Sequence, residues 1–375
     1  MNSFNLESLI LLQQLEKVTK NDIATWGGVS LPTLSKILNR QKEAPDSLFE
    51  RVSDNSGYPL EFFQRDTSIP PAYELTYRHT SRTTIQELNA IAAEYSLLSD
   101  VADTLAGKMN IKSKAGWIDQ IAPKTESITH ADIERLASLA RQYMNLPAHG
   151  AVSNVTRALE RCGIVVAPLH ALTPDDADTK LSSDGVTHPL SNDELLSIGF
   201  KEDSNAGDRD RFTKAHELGH LILHKYRRLE RYSEMEREAH AFAGAFLMPE
   251  DDAKTLINPN IMLSDFLQLK ASWGISIAAL ISRGYDMNIL SRDRWRSLYM
   301  QLSARGWRKT EPITVVKEKP LLLQQILQKE YGDKNGFIDS FTAEHELGIR
   351  FGYLDVWAGG LIEQGSELGY RARRF

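Results

Sequence analysis

The chain has 375 residues, 42% hydrophobic and 25% charged, the proportions of a globular protein with room for two or three domains. A formal net charge of −6 excludes a protein that coats nucleic acid by bulk charge, though not one with a small DNA-reading module. The one cysteine, Cys162, excludes an internal disulfide and reads as a buried structural thiol; no apolar run reaches membrane-spanning length, and residues 1–5 show no secretion signal, so the expected setting is cytoplasmic, with no membrane partner.

Residues 5–66 read as a compact helical module, beginning with an amphipathic helix over 6–17. Thr19 is placed to cap a second helix ending near Trp26, with Asp22 at the capping-box position. Gly27-Gly28-Val29 makes a tight turn, and Ser30 caps a third helix over 31–40, where Pro32 is tolerated in the first turn. Two short helices joined by a glycine turn, the second polar and basic, form a helix-turn-helix pattern. With the trailing Gly57-Tyr58-Pro59-Leu60-Glu61-Phe62-Phe63, the module resembles the Xre/Cro-type DNA-binding domain. The resemblance implies DNA as a partner, with Thr33, Ser35, Lys36, Asn39 and Arg40 as base or phosphate contacts. Such readers usually meet paired half-sites as homodimers. Basic and acidic residues here are about balanced, so a helical interaction module that no longer reads DNA stays open.

Ile69-Pro70-Pro71 marks a boundary. The polar stretch 77–82 follows, and helices are expected over 85–106 and 133–143, making 67–150 a helical linker and packing region. A further helix over 152–161 leads into three short strands, over 163–169, 184–188 and 194–200, and an edge strand of such a sheet can hold an extended peptide by strand addition. The acidic run 174–178 reads as a solvated turn rather than a calcium loop.

The organising stretch comes next: Arg211-Phe212-Thr213-Lys214-Ala215-His216-Glu217-Leu218-Gly219-His220-Leu221-Ile222-Leu223-His224. At 3.6 residues per turn His216 and His220 share one helix face, two imidazoles so placed can hold one Zn²⁺, and Glu217 can take a proton from the bound water. A second helix over 234–248, stopping at Pro249, carries candidate third ligands. Glu236 shares a face with Ala239, His240, Ala243 and Leu247, and the small alanines on it let a second helix come close; it is the chosen ligand, with Glu238 on another face as the alternative. His240, or His224 one turn past His220, reads as a support for the ligands, and Tyr226, Tyr232, His224 or His240 as the group that stabilises an oxyanion.

Phe212-Thr213-Lys214-Ala215-His216-Glu217-Leu218-Gly219-His220, then Glu236-Arg237-Glu238-Ala239 with Phe242-Ala243, then Leu247-Met248-Pro249, resembles the ImmA/IrrE family of zinc metallopeptidases over roughly residues 150–312. The resemblance implies a gluzincin-like core over 151–312, with zinc on His216, His220 and Glu236 and Glu217 as base. It also implies a regulatory endopeptidase that cleaves a transcriptional repressor, often of helix-turn-helix type, in stress, prophage or mobile-element control. The rival is a non-proteolytic transcriptional regulator whose metallopeptidase-like domain senses a ligand or partner. Residues 267–280 read as a helix, turn and helix packed on the protease core, and 313–375 as a helical region. His345-Glu346-Leu347-Gly348-Ile349 lacks the second histidine and reads as coincidence. The fold class expected overall is mostly α with a small β-sheet.

Overall fold

A computed structural model describes residues 4–66, 69–71, 74–76, 84–172, 184–202, 207–227, 229 and 231–360. The polar stretch 77–82, the acidic run 174–178 and residues 361–375 lie outside the described residues. What is described is mostly helical, with one small sheet.

The N-terminal helices are α1 (Glu7–Leu15), α2 (Lys20–Trp26), α3 (Leu31–Leu38) and α4 (Asp46–Ser56), followed by a 3-10 turn over Leu60–Gln64. Local chemistry sets where they start. The Asp22 amide donates to Thr19 Oγ1 (3.2 Å) while the Thr19 amide donates to Asp22 Oδ2 (2.7 Å), a complete capping box. Ser30 Oγ accepts from the Thr33 amide (3.3 Å) at the start of α3. The same box recurs at Thr84 with Glu87, opening α5 (Ile85–Met109), and at Thr129 with Asp132, opening α7 (His130–Tyr143), after the short α6 (Trp117–Ile121).

α8 (Val155–Arg161) leads into the sheet, with strands β1 (Val165–Pro168), β2 (Gly185–Thr187) and β3 (Ser197–Phe200) in the order β1-β3-β2. β1 and β3 are parallel, with Val165 opposite Ser197; β2 is antiparallel to β3, with Val186 opposite Gly199. The sheet divides two apolar cores, as the alternation of β1 shows: Val165 and Ala167 face one, Ile164 and Val166 the other. The first core joins the N-terminal helices, α5 and the C-terminal helices; the second joins α6 to α8 with α9 (Gly207–Leu223) and α10 (Tyr232–Leu247). Tyr95 of α5 crosses onto the sheet, its hydroxyl donating to Ser197 O (2.9 Å) and accepting from the His188 amide (3.1 Å). Packing therefore runs across residues 66, 150 and 312, and the N-terminal helices share a core with the region read as a linker. Cys162 is buried, and burial pushes its thiol up.

α11 (Glu250–Leu256), α12 (Asp265–Trp273), α13 (Ile277–Asp286) and α14 (Arg292–Ala304) complete the second core, and α12 and α13 pack there as a helical pair. The chain then returns as an extended strap. Glu318 accepts from the Val155 and Thr156 amides at the start of α8 (3.0 and 2.8 Å) and pairs with Arg211 of α9. Lys214, fully buried, donates to Thr156 Oγ1 (2.9 Å) and toward Glu318 O (3.4 Å). After the strap come α15 (Leu322–Tyr331), α16 (Ser340–Leu347) and α17 (Phe351–Trp357), which return to the first core. His345, of the incomplete second motif, sits on α16 with Nδ1 3.0 Å from Glu61 Oε2, a surface contact to the N-terminal module.

Candidate metal centre

α9 presents His216 and His220 one turn apart, their Nε2 atoms 3.1 Å from each other. α10 crosses beside it and delivers Glu236, with Oε1 3.2 Å from His220 Nε2 and Oε2 3.6 Å from His216 Nε2. The close approach depends on Gly219. A Cβ there would lie 3.1 Å from Phe242 Cδ1 and 3.2 Å from Ala239 O, so a side chain would require α10 to give by a few tenths of an ångström. Apolar burial of Leu218, Ile222, Phe242 and Phe246 holds the two helices together.

The donor atoms of His216, His220 and Glu236 all lie within 4.8 Å of one another. Around a tetrahedral Zn²⁺ with bonds of about 2.0–2.2 Å, neighbouring donors stand about 3.3–3.5 Å apart, so the three measured separations fit one small ion. Two imidazoles and one carboxylate also match the donor chemistry of a zinc site that leaves a fourth position open.

Glu238 does not join this cluster. Its Oε2 lies 3.2 Å from His224 Nε2 and 2.8 Å from Arg227 Nη1, and its Oε1 accepts from Arg227 Nη2 (3.1 Å). His224 is buried, and its Nδ1 is 2.9 Å from His220 Nδ1. His240 is exposed on α10, its ring against Phe212 (4.8 Å between centroids), whereas His224 touches a cluster residue from behind. Among the oxyanion candidates, Tyr226 is exposed and its hydroxyl donates to Asp119 (2.7 Å), whereas Tyr232 opens α10 one turn before Glu236.

Glu217 lies against the sheet, 4% exposed. A Cβ on Gly185 of β2 would stand 2.5 Å from Glu217 Oε1, so only glycine lets the carboxylate lie there. Its other oxygen accepts from Thr76 Oγ1 (3.1 Å). Thr76 also bridges to β2, with its amide donating to Thr187 O (2.9 Å) and its hydroxyl accepting from the Thr187 amide (3.2 Å). β2 is one of the two edge strands of a sheet expected to hold an extended peptide at an edge, and at Thr187 that edge is taken by the chain's own backbone.

Burial and charge push the acids in opposite directions. Burial, reinforced by the charge of Glu236, holds the Glu217 carboxyl well above the usual range. Burial would raise Glu236 too, but the two imidazoles beside it outweigh this and hold it far below. Burial drives His220 down to about 3 against the pull of the Glu236 carboxylate, so its ring stays neutral, as a metal ligand must be. Glu238 is brought to about 2 because His224 and Arg227 outweigh its partial burial.

The α3 residues lie apart from this centre. Lys36, Asn39 and Arg40 are exposed, Thr33 and Ser35 half-buried, and Arg40 pairs with Glu7 (3.1 Å) at the surface. Sequence reasoning missed Thr76, Gly185, Arg211 and Arg227. Nothing in the charged run Asp208-Arg209-Asp210-Arg211 marked Arg211 as one half of a buried ion pair.

The fold is of peptidase type, and the cluster it carries could hold a metal ion. Residues 192–283 match the Peptidase_M78 family model, described as the IrrE N-terminal-like domain, whose members are typically metal-dependent. The match spans β3 and α9 to α13, narrower than the resemblance read from the sequence, and it takes in every residue of the cluster. No curated protein matches the chain. No helix among the described residues is long and apolar enough to cross a membrane.

Proposed function

We propose that this chain is a regulatory zinc-dependent endopeptidase that cleaves a helix-turn-helix repressor and binds DNA through its N-terminal module. The observation that carries the reading is the convergence of His216, His220 and Glu236 within 4.8 Å, with Glu217 next in sequence to a ligand. Zn²⁺ held by these three residues would supply Lewis acidity for the scissile carbonyl and would lower the pKa of a bound water. Glu217, which burial makes a stronger base, would in its ionised form take a proton and return it to the leaving amine. For the outer edge of β2 to hold the substrate backbone, as strand addition does elsewhere, Thr76 must first leave Thr187. The test is to map new protein N-termini in cells expressing the chain, with and without zinc chelation. Zinc-dependent cuts within a repressor are expected; their absence counts against the reading.

The occupied edge gives weight to a second reading, a regulator that senses a partner and cuts nothing, because Glu217 and the backbone of Thr187 are both engaged by Thr76. Thr76→Ala separates the two. The variant keeps the Thr76 amide on Thr187 O and loses the hydroxyl's bond to Glu217, worth about 1 kcal/mol, so a peptidase restrained by that bond should gain about fivefold in kcat/KM. An enzyme unchanged by Thr76→Ala speaks against restraint of Glu217 by Thr76, and no cleavage by either form supports the regulator.

Lys36 and Arg40 would serve as phosphate contacts in either reading. Each such contact contributes about 0.9 to the slope of log K against log salt. The double variant Lys36→Glu, Arg40→Glu should weaken DNA binding at all sequences and flatten that slope by nearly 2. Fluorescence anisotropy across a salt series reads it, and unchanged affinity and slope would remove α3 from the interface.

A further inference from the structure

We propose that His224, held by Glu238 and Arg227, is a positioning residue that decides which nitrogen of His220 faces the metal cluster. The proposal rests on the metal-site reading above and concerns residues outside the ligand set.

His224 follows the last residue of α9, one turn past His220, and its amide still donates to His220 O (3.1 Å). Its side chain is buried, so each ring nitrogen needs a partner. Nε2 has Glu238 Oε2 at 3.2 Å, and Nδ1 has His220 Nδ1 at 2.9 Å. Only one proton can lie between two imidazole nitrogens at that distance, and the chain of partners decides which ring carries it.

Glu238 starts the chain. Both of its oxygens accept from the Arg227 guanidinium, so it is a carboxylate that only accepts. His224 Nε2 must then carry a hydrogen. The ring is buried and shares Glu238 Oε2 with the Arg227 cation, which disfavours a second charge there and leaves Nδ1 bare. A bare Nδ1 accepts, so the proton in the contact belongs to His220 Nδ1. His220 Nε2 is therefore bare and points at His216 Nε2 (3.1 Å) and Glu236 Oε1 (3.2 Å). The lone pair of His220 Nε2 thus faces a carboxylate oxygen, an arrangement that a divalent cation between them satisfies.

Arg227 fastens the far end. It is 4% exposed and donates to Glu126 O (3.3 and 2.9 Å) as well as to Glu238. The two acids of Glu236-Arg237-Glu238 thus divide the work, one at the cluster and one behind it. If Glu238 is made an amide, its NH₂ can donate to His224 Nε2. The order of donors then reverses down the chain and places a hydrogen on His220 Nε2, where the ion should bind.

The test uses the full chain and Zn²⁺ alone, titrated against a chelator, with ¹⁵N histidine spectra of the zinc-free protein. In the wild type His220 should carry its proton on Nδ1. His224→Phe and Glu238→Gln should each weaken Zn²⁺ binding about 10- to 100-fold. His224→Asn, whose amide oxygen can stand in for Nδ1, should recover most of the loss, a rescue that simple space-filling does not produce. In Glu238→Gln the His220 proton should shift toward Nε2. A wild-type His220 protonated on Nε2 overturns the proposal, as does wild-type zinc affinity in folded His224→Phe. If the wild type binds no Zn²⁺, the metal reading fails by itself, and the ¹⁵N spectrum of His220 still decides the relay.

Discussion

Glu217→Gln should bind Zn²⁺ as the wild type does and lose peptide cleavage by about 10²- to 10⁴-fold, the span that one positioned general base contributes. Glutamine keeps the shape that fits beneath Gly185 and can still accept from Thr76 Oγ1, so the sheet contact survives. What it lacks is the ability to take a proton. Burial and the charge of Glu236 disfavour an ionised Glu217, so the neutral amide should leave the fold at least as stable. Cleavage is read by mass spectrometry on a substrate found by N-terminal mapping, and retained metal by elemental analysis. A Gln variant that cleaves at the wild-type rate removes Glu217 from the reaction.

Glu318→Ala should destabilise the chain by about 3–5 kcal/mol, the usual cost of leaving one partner of a buried ion pair unmatched. Both side chains are 6% exposed. The truncation strands the Arg211 guanidinium and frees the Val155 and Thr156 amides that Glu318 caps. Arg211 keeps its bond to Val152 O (2.6 Å), which offsets part of the loss but not the uncompensated charge. Urea unfolding followed by tryptophan fluorescence measures it. A loss under about 1 kcal/mol would mean that the strap contributes little to holding the start of α9.

The sequence made the local features plain because local chemistry alone determines them. His216 and His220 fall on one face from helical periodicity, and the capping box at Thr19 needs only residues three apart. The three strands and the helical pair at α12 and α13 follow from composition and turn residues. The choice of Glu236 over Glu238 depends on more than one helix. Both acids precede small residues, and only Arg227 and His224, arriving from the end of α9, draw Glu238 away. The Thr76 contact was invisible for a similar reason, since it joins residues 111 positions apart and Thr76 sits in a stretch without periodic pattern. The pairing of Arg211 with Glu318 spans 107 positions and gives a structural role to a segment whose composition suggested none.

Diffraction from crystals of the full chain at the zinc absorption edge tests the centre most directly. The expected result is a single anomalous peak about 2.0–2.2 Å from Nε2 of His216, Nε2 of His220 and a carboxylate oxygen of Glu236. A peak held by Glu238, or none within reach of these three side chains in zinc-supplied crystals, would contradict the assignment.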